Sequence, residues 1–303
     1  MTTPQRVVAL GGGHGLSVTL KALRRRGVEP TAIAGTGDDG GSSGRLREHL
    51  GVPPPGDLRM ALAALADEGL WLRVLQHRFG GTGDVEGHAL GNLMLVALWE
   101  ETGDIVAGLD RLGAVLGARG RVLPNCLEPV EVVADVVTAD GTTREVRGQA
   151  RLTAASGSIV ALRLSPVTPR ACPQAIEAIT GASHVVIGPG SWFTSVLTHT
   201  LVPGIDEALR STRARKILIL NAGPQLGETE GYLPSTYLRS WSEYAPGVAI
   251  DDIVVARGSL VPGDPLQEAA ARMGAALHVA DLLSDPGHHD PDLLASALDG
   301  FLT

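Results

Sequence analysis

The chain has 303 residues, of which 44% are hydrophobic and only 3% aromatic, and its formal net charge at pH 7 is −8. This length fits one large α/β domain or two small ones, with a core built mainly from Ala, Val, Leu and Ile. The acidic balance and the lack of a long basic run argue against nucleic acid as a partner. We expect a cytoplasmic protein, because no signal peptide precedes the first strand and no apolar stretch reaches the ~18 residues of a membrane span.

The N-terminal part of the chain is organised around two glycine-rich turns. A strand is predicted at 7–10, followed by the glycine-rich run 11–17 and a helix at 17–26. A second strand at 31–34 leads into a second glycine-rich turn at 35–45. Because the carboxyl ends of parallel strands meet at one edge of a sheet, the two turns are expected to form one anion-binding crevice.

Helical spacing and helix caps organise the next segment. Asp57 and Asp104 are predicted to be N-caps, and Ser42 or Ser43 is predicted to cap the helix at 43–50. The other helices of this segment are predicted at 58–66, 70–79, 88–102 and 105–116. The two cysteines, Cys126 and Cys172, have no metal-binding spacing and are interpreted as free thiols.

Residues 121–166 differ in character and predict an antiparallel β insertion within a single domain that spans 1–303. Strands are predicted at 130–137, 143–152 and 158–164, and Asp140-Gly141 is typical of a hairpin turn between the first two. A structural flap without a direct role stays open as an alternative.

The parallel pattern then resumes. Strands are predicted at 184–187, 216–220, 252–256 and 277–280, and helices at 192–199, 234–244, 266–273 and after Asp290, which is predicted to be the N-cap of the last one. About six parallel strands that alternate with helices predict an α/β fold, a Rossmann-like doubly wound sheet.

The first candidate site is the run Gly11, Gly12, Gly13, His14 and Gly15. Its position between a strand and a helix favours a nucleotide-phosphate cradle over a tight turn alone, although Leu16 replaces the last glycine of G-x-G-x-x-G. A second helix start with free N–H groups is predicted at Gly188, Gly190 and Ser191.

Three aspartates form the candidate metal site. Asp38, Asp39 and Asp57 offer the oxygen ligands that Mg²⁺ prefers, and Mg²⁺ needs only one or two carboxylates besides phosphate oxygens. A sugar hydroxyl is the alternative partner for Asp38 and Asp39, and a turn-forming acidic pair and a helix cap are the structural alternatives. Mg²⁺ is therefore the one candidate cofactor.

Polar side chains elsewhere complete the candidate site. His88 and Asn92 are predicted to lie one turn apart on one helix face. Thr229 and Tyr232 belong to a loop that follows a predicted strand and is placed to cover the crevice, where Tyr232 would stack on a base or sugar. No Ser-His-Asp set has a convincing spacing, and no motif supplies a general base.

Several of these motifs together resemble one known family, the YvcK family of gluconeogenesis factors within the CofD-like superfamily. The resemblance rests on Gly-Gly-Gly-x-Gly-Leu-Ser near the start and on the strings at 38–47, 54–59, 86–93, 119–124, 188–191 and 227–232. It runs from about residue 7 to about residue 258, and the stretch 38–59 is the most specific part.

The resemblance implies a UDP-sugar-binding protein, notably for UDP-N-acetylglucosamine, that links carbon metabolism to cell-wall synthesis and cell shape. The other branch of the superfamily implies a Mg²⁺-dependent 2-phospho-L-lactate transferase, whose acidic metal-site region matches Asp38, Asp39 and Asp57. Two departures stand out. His14 replaces the Thr that is usual in the YvcK glycine loop, and the run 40–45 differs from the transferase sequence expected there.

Two hypotheses follow, a regulator that binds a UDP-sugar and a transferase that moves a phosphoryl-linked group; a dehydrogenase is a distant third, since fold alone does not give function. The regulator would act on an unidentified protein partner in cell-wall metabolism, and a homodimer stays open. The predicted ligand-binding residues are Gly11, Gly12, Gly13, His14, Gly15, Asp38, Asp39, Ser42, Ser43, Arg45, His88, Asn92, Gly188, Gly190, Ser191, Thr229 and Tyr232.

Overall fold

A computed structural model describes residues 5–285 and 287–302, and its centre is a seven-stranded parallel sheet. In chain order the strands are β1 (Val7–Gly11), β2 (Thr31–Ala34), β3 (Arg121–Pro124), β4 (Glu131–Val137), β5 (Thr143–Arg147), β6 (Ser158–Ser165), β7 (His184–Ile187), β8 (Arg215–Ile219), β9 (Asp252–Ala256), β10 (Ala276–Ala280), β11 (Leu283–Asp285) and β12 (His288–His289). The central sheet has the order β10-β9-β8-β7-β1-β2-β3, while β5-β4-β6 form an antiparallel sheet and β11-β12 a short hairpin.

Helices cover both faces of the central sheet. They are α1 (Gly13–Arg25), α2 (Gly41–Leu50), α3 (Gly56–Leu65), α4 (Leu70–Gln76), α5 (Leu90–Thr102), α6 (Ile105–Val115), α7 (Gln149–Thr153), α8 (Pro173–Thr180), α9 (Pro203–Ser211), α10 (Pro234–Tyr244), α11 (Leu266–Arg272) and α12 (Pro291–Leu298). A π-helical turn (Trp192–Val196) and two short 3₁₀ helices (Leu197–Leu201 and Arg257–Ser259) complete the fold. None of the helices in the described ranges is long and apolar enough to cross a membrane.

Strand β1 separates the two hydrophobic cores. All of its residues are buried; Val8 and Leu10 face one core, and Val7 and Ala9 face the other. This is the pattern expected for a parallel strand covered on both faces, where alternate side chains point to opposite sides. Each fully buried aliphatic side chain of Val or Leu size contributes about 1.5–3 kcal/mol, so β1 is a strong anchor for the loop that follows it.

The order of the strands reverses at β1. It pairs in parallel with β2 on one side and with β7 on the other. Helix α1, after β1, packs in one core, whereas the helical turns after β7 pack in the other. The two connections therefore diverge and leave a crevice at the carboxyl ends of β1 and β7, where ligands bind in open α/β sheets.

The predicted doubly wound α/β fold is confirmed, with one more strand than the six or so expected. The additional strand is β3, which the sequence analysis assigned to the β insertion but which pairs in parallel with β2. The antiparallel sheet itself spans 131–165, and the predicted strand at 143–152 ends early. Gly148 adopts φ +93°, which stops β5 and allows the chain to turn into α7.

Several predicted boundaries and caps were wrong. Helix α1 begins at Gly13, so the glycine run forms its first turn. Ser42 and Ser43 lie inside α2, whose N-cap is Gly40, and Asp57 lies inside α3, whose N-cap is Pro55. The helix predicted at 88–102 begins only at Leu90, the one predicted at 192–199 is a π turn followed by a 3₁₀ helix, and α8 and α9 were not predicted.

Two predicted caps are confirmed by their hydrogen bonds. The Asp104 carboxylate accepts from the Ala107 N–H at 2.9 Å, and the Asp290 carboxylate accepts from the N–H groups of Asp292 and Leu293. Both cysteines are free and buried, and burial raises the pKa of the Cys126 thiol to about 11.

Candidate functional site

The glycine loop lies against the loop after β7, at the point where the strand order reverses. A Cβ at Gly15 would clash with the Pro189 carbonyl and would lie 2.6 Å from the Gly190 Cα. The Thr19 hydroxyl, one turn further along α1, donates to the Gly188 carbonyl at 2.8 Å. Glycine at position 15 is therefore required by the close packing of two backbones, which brings the two predicted loops together.

The first turn of α1 points N–H groups towards this crevice. Gly12 is the N-cap and contributes no side chain, so the first N–H groups of the helix depend on other partners. The Asp57 carboxylate accepts from Gly13, whereas the N–H groups of His14 and Gly15 have no acceptor within the part of the chain that the structure describes. With the helix dipole, this turn is suited to bind an anion, and the exposed His14 side chain lies at its rim.

Most N–H groups around the helix start at Gly188, Gly190 and Ser191 already have acceptors, contrary to the prediction of free N–H groups. The Gly190 N–H donates to Asn221 Oδ1 at 3.1 Å and the Trp192 N–H donates to Gln225 Oε1 at 3.1 Å. The buried Glu228 carboxylate accepts from the Phe193 N–H at 3.0 Å and from the Thr194 hydroxyl at 2.8 Å. Burial raises the pKa of Glu228. This segment forms the wall of the crevice, and side chains of the 221–232 loop accept the hydrogen bonds of its N–H groups.

The 221–232 loop is tied down by buried hydrogen bonds. The Thr229 hydroxyl is fully buried; it accepts from the Gln225 N–H at 2.8 Å and bonds the Tyr237 hydroxyl at 3.0 Å. Tyr232 is half-buried and packs edge-to-face against Phe193 and Tyr237. Both predicted ligand residues thus form part of the loop's own packing, and neither side chain lines the cavity described next.

An open cavity of about 270 Å³ lies between the glycine loop and the 221–232 loop. Its walls are the first turn of α1, the loop after β7, the start of the 221–232 loop and the β11-β12 hairpin; they include His14, Gly15, Gly190, Asn221, Gln225 and His289. Burial lowers the pKa of His289 to about 4. The hairpin and the Asn221-Gln225 pair are parts of this crevice that sequence reasoning missed, since neither carries a recognisable motif.

Asp38 and Asp57 form an acidic pair on the other side of the glycine loop. A Cβ at Gly12 would clash with the Asp57 carboxylate, and one at Gly56 would lie 2.6 Å from Asp38 Oδ2. Burial and the nearby negative charge of Asp38 raise the pKa of Asp57 to about 7. Asp38 accepts from the Gly40 N–H at 3.0 Å and from the Ser43 hydroxyl, and burial raises its pKa as well.

Asp39 does not join this pair. Its Oδ1 accepts from the Ala150 N–H at 2.8 Å, at the start of α7 in the β insertion. Two close carboxylates with raised pKa values fit a divalent cation, whereas Asp39 is already used as a helix cap. Within residues 5–285 and 287–302, no group of three or more acidic, His or Cys side chains is arranged to hold a metal ion by itself.

A buried hydrogen-bonded chain lies next to the acidic pair. Asn92 Nδ2 donates to Ser42 Oγ at 3.0 Å, and Ser42 Oγ lies 3.0 Å from His88 Nδ1. The Arg59 Nε donates to Asn92 Oδ1 at 2.9 Å. His88 and Asn92 therefore come together, but not on one helix face as predicted, because His88 precedes α5 and the two side chains share Ser42 as their partner. Arg59 was missed as a site residue, although it closes the 54–59 string on which the family resemblance rests.

Arg45 borders this chain from the exposed side. Its guanidinium donates to the Glu86 carbonyl in the 80–87 loop. Its positive charge, after the effect of burial, contributes to lowering the pKa of His88. The predicted residues thus separate into three places: the glycine loop, the Asp38-Asp57-Ser43 group with the His88-Ser42-Asn92 chain, and the 188–191 segment under the 221–232 loop.

Comparisons with known proteins place this geometry in a family. A family model described as 2-phospho-L-lactate transferase CofD matches residues 7–285. A Mycobacterium leprae protein is 49% identical over 98% of this chain and 86% of its own length. A Halalkalibacterium halodurans protein named gluconeogenesis factor is 41% identical over 87% of this chain and 79% of its own.

The same architecture has been solved by crystallography. A crystal structure of a UPF0052-family protein from Bacillus halodurans matches with a TM-score of 0.89 at 35% identity, covering 98% of this chain and 99% of that one. The likeness therefore extends over nearly the whole fold.

Proposed function

This chain belongs to the gluconeogenesis factor family of CofD-like proteins, and we propose that it is a regulator that binds a UDP-sugar, UDP-N-acetylglucosamine in the first place. The observation that carries the proposal is the first turn of α1 at the strand-order reversal. Its N–H groups at His14 and Gly15 have no acceptor among the described residues and face a cavity of about 270 Å³. A helix N-terminus in this place favours a diphosphate.

The regulatory role rests on the 221–232 loop. Gln225 and Glu228 hold this loop on the N–H groups of Trp192 and Phe193, directly beside the cavity. A ligand in the cavity would stabilise the same loop and alter the surface that it presents. In the cytoplasm, that surface would contact a protein partner in cell-wall metabolism and so link carbon metabolism to cell-wall synthesis and cell shape.

A second candidate function, a Mg²⁺-dependent transfer of a phosphoryl-linked group such as the 2-phospho-L-lactate transferase reaction, is favoured by a specific observation. Asp38 and Asp57 lie together with raised pKa values, which is the environment that a bound divalent cation would relieve. If Mg²⁺ binds here, these two carboxylates would hold it, and it would polarise a phosphate oxygen. Asp39 is not a ligand in this proposal.

Calorimetric titration with UDP-N-acetylglucosamine, with and without Mg²⁺, tests the two functions against each other. UDP, GDP and NAD serve as comparators, and product formation is followed over hours. We expect selective micromolar binding of the UDP-sugar that EDTA leaves unchanged, with no turnover. No detectable binding of UDP-sugars, together with Mg²⁺-dependent binding of GDP, would contradict the regulator and support the transferase.

A further inference from the structure

Arg59, on the first turns of α3, is a buried arginine with its charge unpaired. Only 5% of its surface is exposed, and its Nε donates to Asn92 Oδ1 at 2.9 Å. Its two terminal nitrogens make no hydrogen bond to any residue in the ranges 5–285 and 287–302. Neither nitrogen is among the fully enclosed polar atoms without a partner, so each keeps some accessible surface.

A purely structural role does not account for this arrangement. Burying a guanidinium costs several kcal/mol unless an anion and hydrogen bonds compensate for the lost water. Asp57 is two residues away on the same helix, a spacing at which side chains do not face each other. No carboxylate oxygen of the described chain lies within 4.0 Å of the Arg59 guanidinium. The side chain is thus held at one end and left open at the other.

The surroundings of Arg59 favour an anion at the open end. Arg78 is near enough for its positive charge to act on Arg59, and within the described chain it donates only to the Gly87 carbonyl, at 3.0 Å. The carboxylates of Asp38 and Asp57 are also near, but without direct contact. A group that is negatively charged and rich in acceptor oxygens would satisfy both guanidinium groups at once.

We propose that Arg59 is a phosphate-binding residue beside the Asp38-Asp57 pair, and that Asn92, fixed by Ser42 and His88, positions its guanidinium to bind phosphate oxygens of the bound ligand. The inference rests on the proposed function for the nature of that ligand, a nucleoside diphosphate linked to a sugar. Asn92 orients Arg59 through Nε, which leaves the planar pair of terminal N–H groups free for two parallel bonds to a phosphate.

The test uses two calorimetric titrants, inorganic pyrophosphate and UDP-N-acetylglucosamine, each with and without Mg²⁺. The variants are Arg59→Gln, Arg59→Lys and Asn92→Ala. Arg121→Gln is the control, since Arg121 is a partly exposed arginine on β3 that is bonded bidentately to Asp110. We expect Arg59→Gln to weaken both ligands at least tenfold, Arg59→Lys and Asn92→Ala to weaken them less, and the control to match the wild type. Thermal unfolding of each variant verifies folding, and Arg59→Lys replaces Arg59→Gln if the latter does not fold.

The outcomes separate this inference from the proposed function. Arg59-dependent binding of pyrophosphate without binding of the UDP-sugar supports the phosphate site and contradicts the proposal that the protein binds a UDP-sugar. If Arg59→Gln binds both ligands with wild-type affinity, the inference about Arg59 is overturned, whereas the proposal of UDP-sugar binding still stands. A wild-type protein that binds neither ligand overturns both.

Discussion

Asp39 Oδ1 accepts a hydrogen bond from the Ala150 N–H at 2.8 Å, so the turn after β2 caps the short helix of the β insertion. A Cβ at Gly148 would clash with the same carboxylate, which shows how closely the two segments pack. The adjacent Asp38 instead faces Ser43 and Gly56. Two neighbouring aspartates therefore have different roles, one in docking the insertion and one in the acidic pair.

The substitution Asp39→Ala is expected to loosen the insertion without removing the ligand site. Loss of a helix cap typically costs about 1 kcal/mol. We expect faster hydrogen exchange at residues 149–153, a slightly lower unfolding temperature and an affinity for the UDP-sugar within about twofold of wild type. Asp84→Ala, in the exposed 80–87 loop, serves as the control. Unchanged exchange at 149–153 would show that the cap does not hold the insertion.

The acidic pair is expected to account for any effect of Mg²⁺. Asp38→Asn and Asp57→Asn each remove one carboxylate while keeping the size of the side chain, and Asp39→Asn is the matched control. We expect a Mg²⁺-dependent gain in nucleotide affinity to disappear in the first two variants and to persist in the third. Titrations of the wild type and all three variants with GDP and UDP, each with and without Mg²⁺, measure this. A gain that survives Asp57→Asn would place the cation elsewhere.

The sheet and its two glycine-rich turns could be predicted because they depend on local pattern. Buried parallel strands such as β7 and β9 are continuous apolar runs, and the caps Asp104 and Asp290 precede apolar helices. β3 was misassigned because it is short, contains Pro124 and directly precedes the antiparallel strands, so that only its pairing with β2 shows its place. Likewise, one glycine with positive φ at 148 decides where β5 stops, which composition does not indicate.

The site was predicted in its parts but not in its connections. Asp38, Ser42, His88 and Asn92 were candidates, yet the sequence does not state that Asn92 bonds Ser42 or that Arg59 completes the chain. The helix start at 188–191 was predicted to be free because Asn221, which accepts from the Gly190 N–H, is more than 30 residues away in sequence, as are Gln225 and Glu228, which accept from Trp192 and Phe193. Such partners depend on tertiary contacts, which local spacing does not encode.

The close contact between the glycine loop and the loop after β7 gives a prediction for Gly15. In Gly15→Ala the new methyl group would collide with the Pro189 carbonyl, which is backbone and has no room to move aside. We expect a loss of about 1–3 kcal/mol in the free energy of unfolding, as for overpacked sites, and at least tenfold weaker UDP-sugar binding. Urea unfolding and calorimetry measure the two effects. Gly83→Ala, with no neighbour within 4 Å, is the control, and equal stability of the two variants would contradict the close contact.

His199 links the stability of the crevice to pH. It is fully buried beneath the glycine loop, its Nε2 lies 3.0 Å from the Gly11 carbonyl, and burial lowers its pKa to about 4. An unfolded chain has an ordinary histidine pKa of about 6.5, so between these values the unfolded state binds more protons and stability falls as the pH falls. This contribution is fully present above pH ~6.5, and about 2 kcal/mol of it is lost between pH 7 and pH 5.

The variant His199→Gln isolates this effect, because an amide N–H can still donate to the Gly11 carbonyl but does not titrate. Urea unfolding at pH 7 and pH 5 should show a difference in unfolding free energy that is about 2 kcal/mol smaller in the variant than in the wild type. His289, whose pKa is also lowered to about 4, titrates in both proteins and leaves a residual slope. If the unfolding free energy changes equally between pH 7 and pH 5 in the two proteins, then His199 is not held neutral by burial, and the glycine loop does not depend on its neutral form.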